Sequence, residues 1–339
     1  MKAVGLYKYL PITHSESLID VEIAKPQPEP HDLLVKIAAI SVNPVDIKVR
    51  SPKSKIEQVP RILGWDAVGI VEAVGSAVSL FKPGDRVFYA GDITRPGSNA
   101  EYQLVDERIV GRAPTSVSLA QAAALPLTAI TAYEALFDRL MFSPNGEHAG
   151  QSLLIIGGAG GVGSIAIQLA KKLAKLKVIA TASRPESREW VKQQGADYVI
   201  NHFENLSEQL TKLQQPEVNA ILILNNTDQY FPLLEKLIAP QGKIASIVET
   251  SINHNLDGLK SKSATFAWEF MFTRSMYQTS DMIAQHHMLN VIADAVDAGI
   301  IKTTMAQNFG TINANNVKRA HRELEQGHVI GKIVLAGFE

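Results

Sequence analysis

The chain contains no cysteine. That absence excludes disulfides, thiolate nucleophiles and every cysteine-ligated zinc or iron–sulfur site. Long apolar runs are missing too: none approaches the ~20 residues that a membrane span needs. Neither sign of charge is in excess. Lys and Arg total 33 against 34 Asp and Glu, a formal net charge of −1, so there is no bulk electrostatic case for nucleic acid or an anionic membrane. The nine histidines show no His-Glu-x-x-His or similar ligand spacing. The pair His286-His287 lies in a helical stretch, where neighbours point to different sides, and reads as surface. The opening Met1-Lys2-Ala3-Val4-Gly5-Leu6 lacks the apolar core of a secretory signal and reads as a first strand. The expected compartment is the cytoplasm, and the expected partner is a small molecule.

What is present suggests two domains: 339 residues at roughly 150 per domain. The first ~120 residues are rich in short β-like stretches, Leu33 to Val42 and Gly69 to Val74 among them. Pro83-Gly84 turn chemistry precedes another strand. From about Ser118 strand and helix patterns alternate, the signature of βαβ units around a parallel sheet. Ser152 to Ile156 is an unbroken apolar run, as in a strand buried on both faces. Ser164 to Leu173 has helical spacing. Further strands are expected at Lys177–Ala182, Asp197–Ile200, Ala220–Leu224 and Lys243–Val248. A helix over Glu186–Gln194 closes on Gly195, which suits a left-handed cap. The last stretch holds a helix around Asn316–Glu325 and a strand from Lys332 to Leu335.

The strongest motif is Gly158-Ala159-Gly160-Gly161-Val162-Gly163, which fits Gly-x-Gly-x-x-Gly. Its position between a buried strand and a helix makes it a dinucleotide-binding fingerprint rather than a chance glycine cluster. Gly158 is expected to make the tight turn, Gly160 to let the backbone approach a pyrophosphate, and Gly163 to let helix and strand pack closely. The amides of this turn, Gly161 and Val162 included, then face the phosphates at the positive end of the helix dipole. An NAD site carries Asp or Glu ~20 residues further on, for the ribose 2′-hydroxyl. Here Ser183 and Arg184 stand at that strand end, and both suit a 2′-phosphate. The expected cofactor is therefore NADPH. Glu186 is placed in the first turn of the next helix, where its charge favours the dipole.

Together with Ser41–Asp46, Gly64–Gly75, Lys82–Val87, Ala100–Tyr102 and Leu125–Ala129, these residues give the chain an end-to-end resemblance to the medium-chain dehydrogenase/reductase superfamily. The likeness is to its zinc-free, quinone oxidoreductase-like branch in particular. The resemblance implies an α/β architecture. A GroES-like β-barrel catalytic domain takes residues 1–124 and 285–339. A Rossmann domain with a doubly wound parallel sheet takes 125–284. The active site is expected between the two, and the assembly is expected to be a homodimer. Zinc-dependent members take their metal ligands from positions matching Asn43 and Trp65, plus a later cysteine, so no metal is expected. Hydride from NADPH then needs an electrophile that tolerates weak activation, a quinone or an α,β-unsaturated carbonyl.

The resemblance places Asn43 near nicotinamide and substrate, and Lys48 where relatives put a proton-relay group. Thr128 is placed on the nicotinamide side and Lys332 at a basic position reaching the cofactor phosphates. The aromatic run Phe266 to Phe272 either lines a substrate cleft or forms a subunit contact. A non-catalytic NADPH-binding protein and a zinc alcohol dehydrogenase are the alternatives.

Overall fold

Ser152–Ile156 (β1) is buried at every position, as its apolar sequence requires of a strand covered on both faces. It shares a six-stranded sheet with Lys177–Thr181 (β2), Tyr198–Ile200 (β3), Val218–Ile223 (β4), Ile238–Ser246 (β5) and Thr265–Trp268 (β6). Every pairing is parallel, and the order is β3-β2-β1-β4-β5-β6. This is the doubly wound arrangement in which each half of the sheet receives one mononucleotide. Alternation along the strands sends Leu154, Ile156, Ile179, Ile221, Ile223 and Ile244 to one face, where they pack with Leu206, Leu210, Leu234 and Leu237. Leu153, Ile155 and Val178, equally buried, serve the other face. The helix Gly161–Lys172 (α1) packs on β1 and β2, and Pro185–Gln194 (α2) packs on α1. Gly195 ends α2 at φ 111°, the left-handed cap that glycine accepts without strain.

The computed structural model describes residues 1–338. Its contacts separate two units, Met1–Ile130 with Phe272–Glu339, and Thr131–Met271, the latter holding the parallel sheet. In the first unit a seven-stranded sheet runs Met305–Asn308, Lys332–Ala336, Asp32–Ser41, Ala67–Val74, Arg86–Tyr89, Val110–Arg112, with Tyr102–Asp106 also paired to Asp32–Ser41. The late strand Lys332–Ala336 is antiparallel to Asp32–Ser41, with Val334 opposite Ser41. Ile19–Glu22, Lys2–Tyr9 and Lys53–Ile62 form a smaller sheet. The Pro83-Gly84 turn is present: Asp85 N–H donates to Lys82 O at 3.1 Å, and Gly84 takes φ +95°.

Sequence and structure differ in the second unit. The fifth strand begins at Ile238, five residues before the apolar run starts, so Gln241 and Gly242 lie inside it. The aromatic run contains the sixth strand, Thr265–Trp268. Its Phe266 packs against the core while Trp268 is 49% exposed. Among the described residues, no helix is long and apolar enough to cross a membrane.

Candidate active site

The glycine turn lies at the carboxyl end of β1, and α1 begins inside it at Gly161. The positive backbone angle falls on Gly157 (φ +91°), not on Gly158, so Gly157 makes the sharp bend expected of its neighbour. Gly158 serves packing: a Cβ there would lie 2.9 Å from Ala180 Cβ. Gly163 is tighter still, since a Cβ would meet Gly157 O at 2.5 Å and Gly158 O at 2.6 Å. That is the close helix–strand contact the third glycine permits. Gly160 differs: its missing Cβ would touch only Gly157 O, at 3.7 Å. The turn leaves the first amides of α1, Gly161 and Val162 among them, at the positive end of the helix.

Three residues outside the glycine motif hold this turn. Thr181, the last residue of β2, accepts the Gly157 N–H on Oγ1 at 3.0 Å. Leu224 and Asn225, just beyond β4, lie against Gly157, where the strand order reverses between β1 and β4. Ligands of open α/β sheets bind at such a reversal. Strand order is not written in the local sequence, so none of the three carried a signal.

Ser183 and Arg184 follow β2, both half-buried. Arg184 is the residue before α2, and its N–H donates to Ser187 Oγ at 3.2 Å. Glu186 sits in the first turn of α2, its Oε1 3.6 Å from Arg184 Nη1, with both side chains largely in solvent. The strand end thus presents a hydroxyl and a guanidinium. Together with the glycine turn these residues fit a nicotinamide dinucleotide.

In the first unit, Lys332 brings Asn43 and Asp66 together. Lys332 is 3% exposed and its ammonium donates to Val42 O at 2.9 Å, to Asp66 Oδ2 at 3.0 Å and to Asn43 Oδ1. All three N–H donors are used, which leaves none for a cofactor phosphate. The Asn43 amide is equally committed. Its Nδ2 donates to Asp66 Oδ2 at 2.9 Å and to Trp65 O at 3.3 Å, and the residue has no exposed surface. Asp66 also accepts from Ser41 Oγ at 2.6 Å and from Leu127 N–H at 2.8 Å. Asp66 is the hub of this cluster.

Asp46 accepts the Asn43 N–H at 2.7 Å, and burial raises its carboxyl to about 7 against the pull of that bond and of Lys332. Thr128 is buried, its hydroxyl donating back to Leu125 O at 3.1 Å. Lys48 stands apart from the cluster, exposed on the helix Pro44–Arg50.

A family model described as alcohol dehydrogenase GroES-like domain matches residues 29–115, and one described as zinc-binding dehydrogenase matches 194–335. A zinc-type alcohol dehydrogenase-like protein of Staphylococcus aureus is 47% identical over 99% of both chains. The chain belongs to the medium-chain dehydrogenase/reductase superfamily. It is an oxidoreductase of that superfamily, on a nicotinamide-dinucleotide-binding fold. Among solved structures of the superfamily, a putative zinc-dependent alcohol dehydrogenase from Rhizobium etli covers 100% of this chain and 98% of its own, at 48% identity and TM-score 0.95. The Escherichia coli quinone oxidoreductase complexed with NADPH matches at 26% identity and TM-score 0.82, covering 99% and 100%.

The zinc in those descriptions does not fit this chain. Asn43 Oδ1 already receives an ammonium, and Trp65 Nε1 donates to Asp92 O at 3.3 Å. A dication there would sit against the Lys332 charge. Among the described residues, no three acidic or histidine side chains are grouped to hold a metal.

Proposed function

We propose that the chain is an NADPH-dependent reductase of quinones or α,β-unsaturated carbonyls that works without a metal. The observation that carries this reading is the Lys332 ammonium, held by Asp66 and by Asn43, the latter at a position matching a zinc ligand of the zinc-dependent relatives. With no Lewis acid to lower an alkoxide's pKa, simple alcohol oxidation is disfavoured. A conjugated acceptor needs less help. NADPH would supply the hydride when bound, and the chain's own part would be to give the one proton that completes the reduction.

In this reading the amides after Gly160 hold the pyrophosphate, and Ser183 with Arg184 hold the 2′-phosphate. Thr128 stands on the nicotinamide side, and Lys48 supplies the proton or steadies the enolate. Asn43 and Lys332 position the surrounding backbone through their buried bonds rather than touching substrate or phosphate. The quinone oxidoreductase neighbour with NADPH supports both cofactor and substrate class. The open edge of β6, with Trp268 and Phe270 exposed, supports pairing of two copies as a homodimer.

The test is NADPH consumption across a panel of quinones and enones, with products identified. Reduced quinone or saturated carbonyl supports the proposal. NADPH binding with no turnover on either class identifies a non-catalytic binding protein instead.

A further inference from the structure

At the carboxyl ends of β5 and β6, two acids are buried beside a partly exposed arginine. Residues Glu134–Arg139 form a π turn, in which Leu140 N–H donates to Ala135 O at 2.9 Å. On an α-helix, residues five apart point about 140° away from each other. The i→i+5 closure brings them round to one side, so Glu134 and Arg139 face the same neighbour. That neighbour is Glu269, which follows β6 and is tied by its N–H to Ser246 O at 2.9 Å. Arg139 Nε donates to Glu269 Oε2 at 2.8 Å. The Glu134 carboxyl lies in hydrogen-bonding contact with Glu269. Exposure is 1% for Glu134 and 3% for Glu269, and Glu269 Oε1 has no donor.

One guanidinium against two carboxylates leaves a buried negative charge, which a shared proton removes. Burial first, and then the neighbouring Glu134, push the Glu269 carboxyl up to about 9, with Arg139 opposing. Tyr133 and Asp138 are the ionisable groups next to the pair along the chain, and the end of β5 offers the Ser246 hydroxyl.

The glycine turn ends β1 and the ribose-reading residues end β2, so the second mononucleotide of a bound dinucleotide covers β4 to β6. We propose that Glu134 and Glu269 hold one proton between them and release it when the oxidised, cationic nicotinamide occupies this half of the sheet. NADP+ then binds with proton release and NADPH without it. This rests on the dinucleotide reading above. A unit charge within about 7 Å at an effective dielectric of ~20 lowers such a group by roughly 1–2 pKa units.

The experiment is a pair of dissociation constants, for NADP+ and NADPH, from pH 7 to 9.5, with proton release measured by calorimetry in two buffers. The 2′-phosphate is common to both nucleotides and cancels in their ratio. In the unmodified protein NADP+ should tighten about 10-fold relative to NADPH across this range. Glu134→Gln should reduce the slope of the ratio, because it removes the carboxylate that shares the proton and leaves burial alone to raise Glu269 against Arg139. A flat ratio in the unmodified protein, or a slope undiminished in Glu134→Gln, overturns the coupling alone. Binding of neither nucleotide overturns the dinucleotide reading and the coupling with it. Infrared spectra of the nucleotide-free protein need no variant to fold: the protonated-carboxyl stretch should be present at pH 7 and fade above pH 9. Its absence at pH 7 overturns the shared proton.

Discussion

The ammonium of Lys332 lies 3.0 Å from Asp66 Oδ2, in a place where neither residue meets solvent. Removing one partner of such a pair strands the other. Lys332→Met should therefore cost roughly 3–5 kcal/mol, read as a lowered urea midpoint at constant slope. Adding Asp66→Asn to it should recover part of the loss. A single variant as stable as the parent would show that the pair is not coupled as drawn.

The glycines of the turn separate into two kinds. Gly163→Ala forces a Cβ onto two carbonyl oxygens, so stability should fall by about 1–3 kcal/mol along with nucleotide affinity. Gly160→Ala meets nothing closer than 3.7 Å. It should leave the melting temperature within error while weakening dinucleotide binding at least 10-fold. Equal behaviour of the two variants in calorimetry and titration would remove the distinction.

Cofactor choice rests on Arg184 and Ser183. A charge-assisted bond to the 2′-phosphate contributes about 1.5–3 kcal/mol, less at a half-exposed site. A net of about 2 kcal/mol gives NADPH a ~30-fold preference over NADH. Arg184→Ala should remove most of it by weakening NADPH alone, and Ser183→Asp should reverse it. Fluorescence titrations at fixed ionic strength decide. Full discrimination retained by Arg184→Ala would transfer the role elsewhere.

His321 makes a pH prediction. It is buried, and Arg50 Nε donates to its Nδ1 at 3.2 Å. Burial first, then the Arg50 charge, depress its pKa to about 3. Between the unfolded value of ~6.5 and the folded one, the unfolded chain binds the extra proton. Stability from this group is therefore complete above pH ~6.5 and falls on acidification, by up to about 1.4 kcal/mol per pH unit. Asp46, raised to about 7, contributes the opposite slope below pH 7. The His321 part must therefore be read as a difference. His321→Gln should close the gap to the unmodified protein progressively from pH 7 to pH 5 in urea titrations. A gap independent of pH would mean that His321 takes up its proton as readily in the fold as in the unfolded chain.

The fold was largely legible because its signals are local. An unbroken apolar run implies a strand buried on both faces, and Gly195 after Gln194 implies a helix cap, whatever surrounds them. The site was legible where a motif fixes its own geometry, as at Gly163. It was not legible where function depends on what tertiary structure brings near. Lys332 and Asn43 lie 289 positions apart, and nothing near either residue records that one ammonium would use all its donors on the other's surroundings. Gly157 was missed for a smaller reason: the six-residue pattern begins one residue after the bend. The pair Glu134 and Glu269 depends on a π turn, and a single extra residue per turn leaves no trace in hydrophobic spacing.

The pairing of Lys332–Ala336 with Asp32–Ser41 has a consequence for how the molecule is made. Thr131–Met271 is a continuous stretch, so its parallel sheet is free to form while later residues are still being added by the ribosome, at about 5–20 residues per second. The other sheet must wait. Until the last strand leaves the exit tunnel, the edge of Asp32–Ser41 that it covers stays open, and Asp66 is a buried carboxylate in search of its ammonium. A ribosome stalled before Lys332 has been made would therefore display a finished nucleotide-binding sheet while the edge of Asp32–Ser41 is still open.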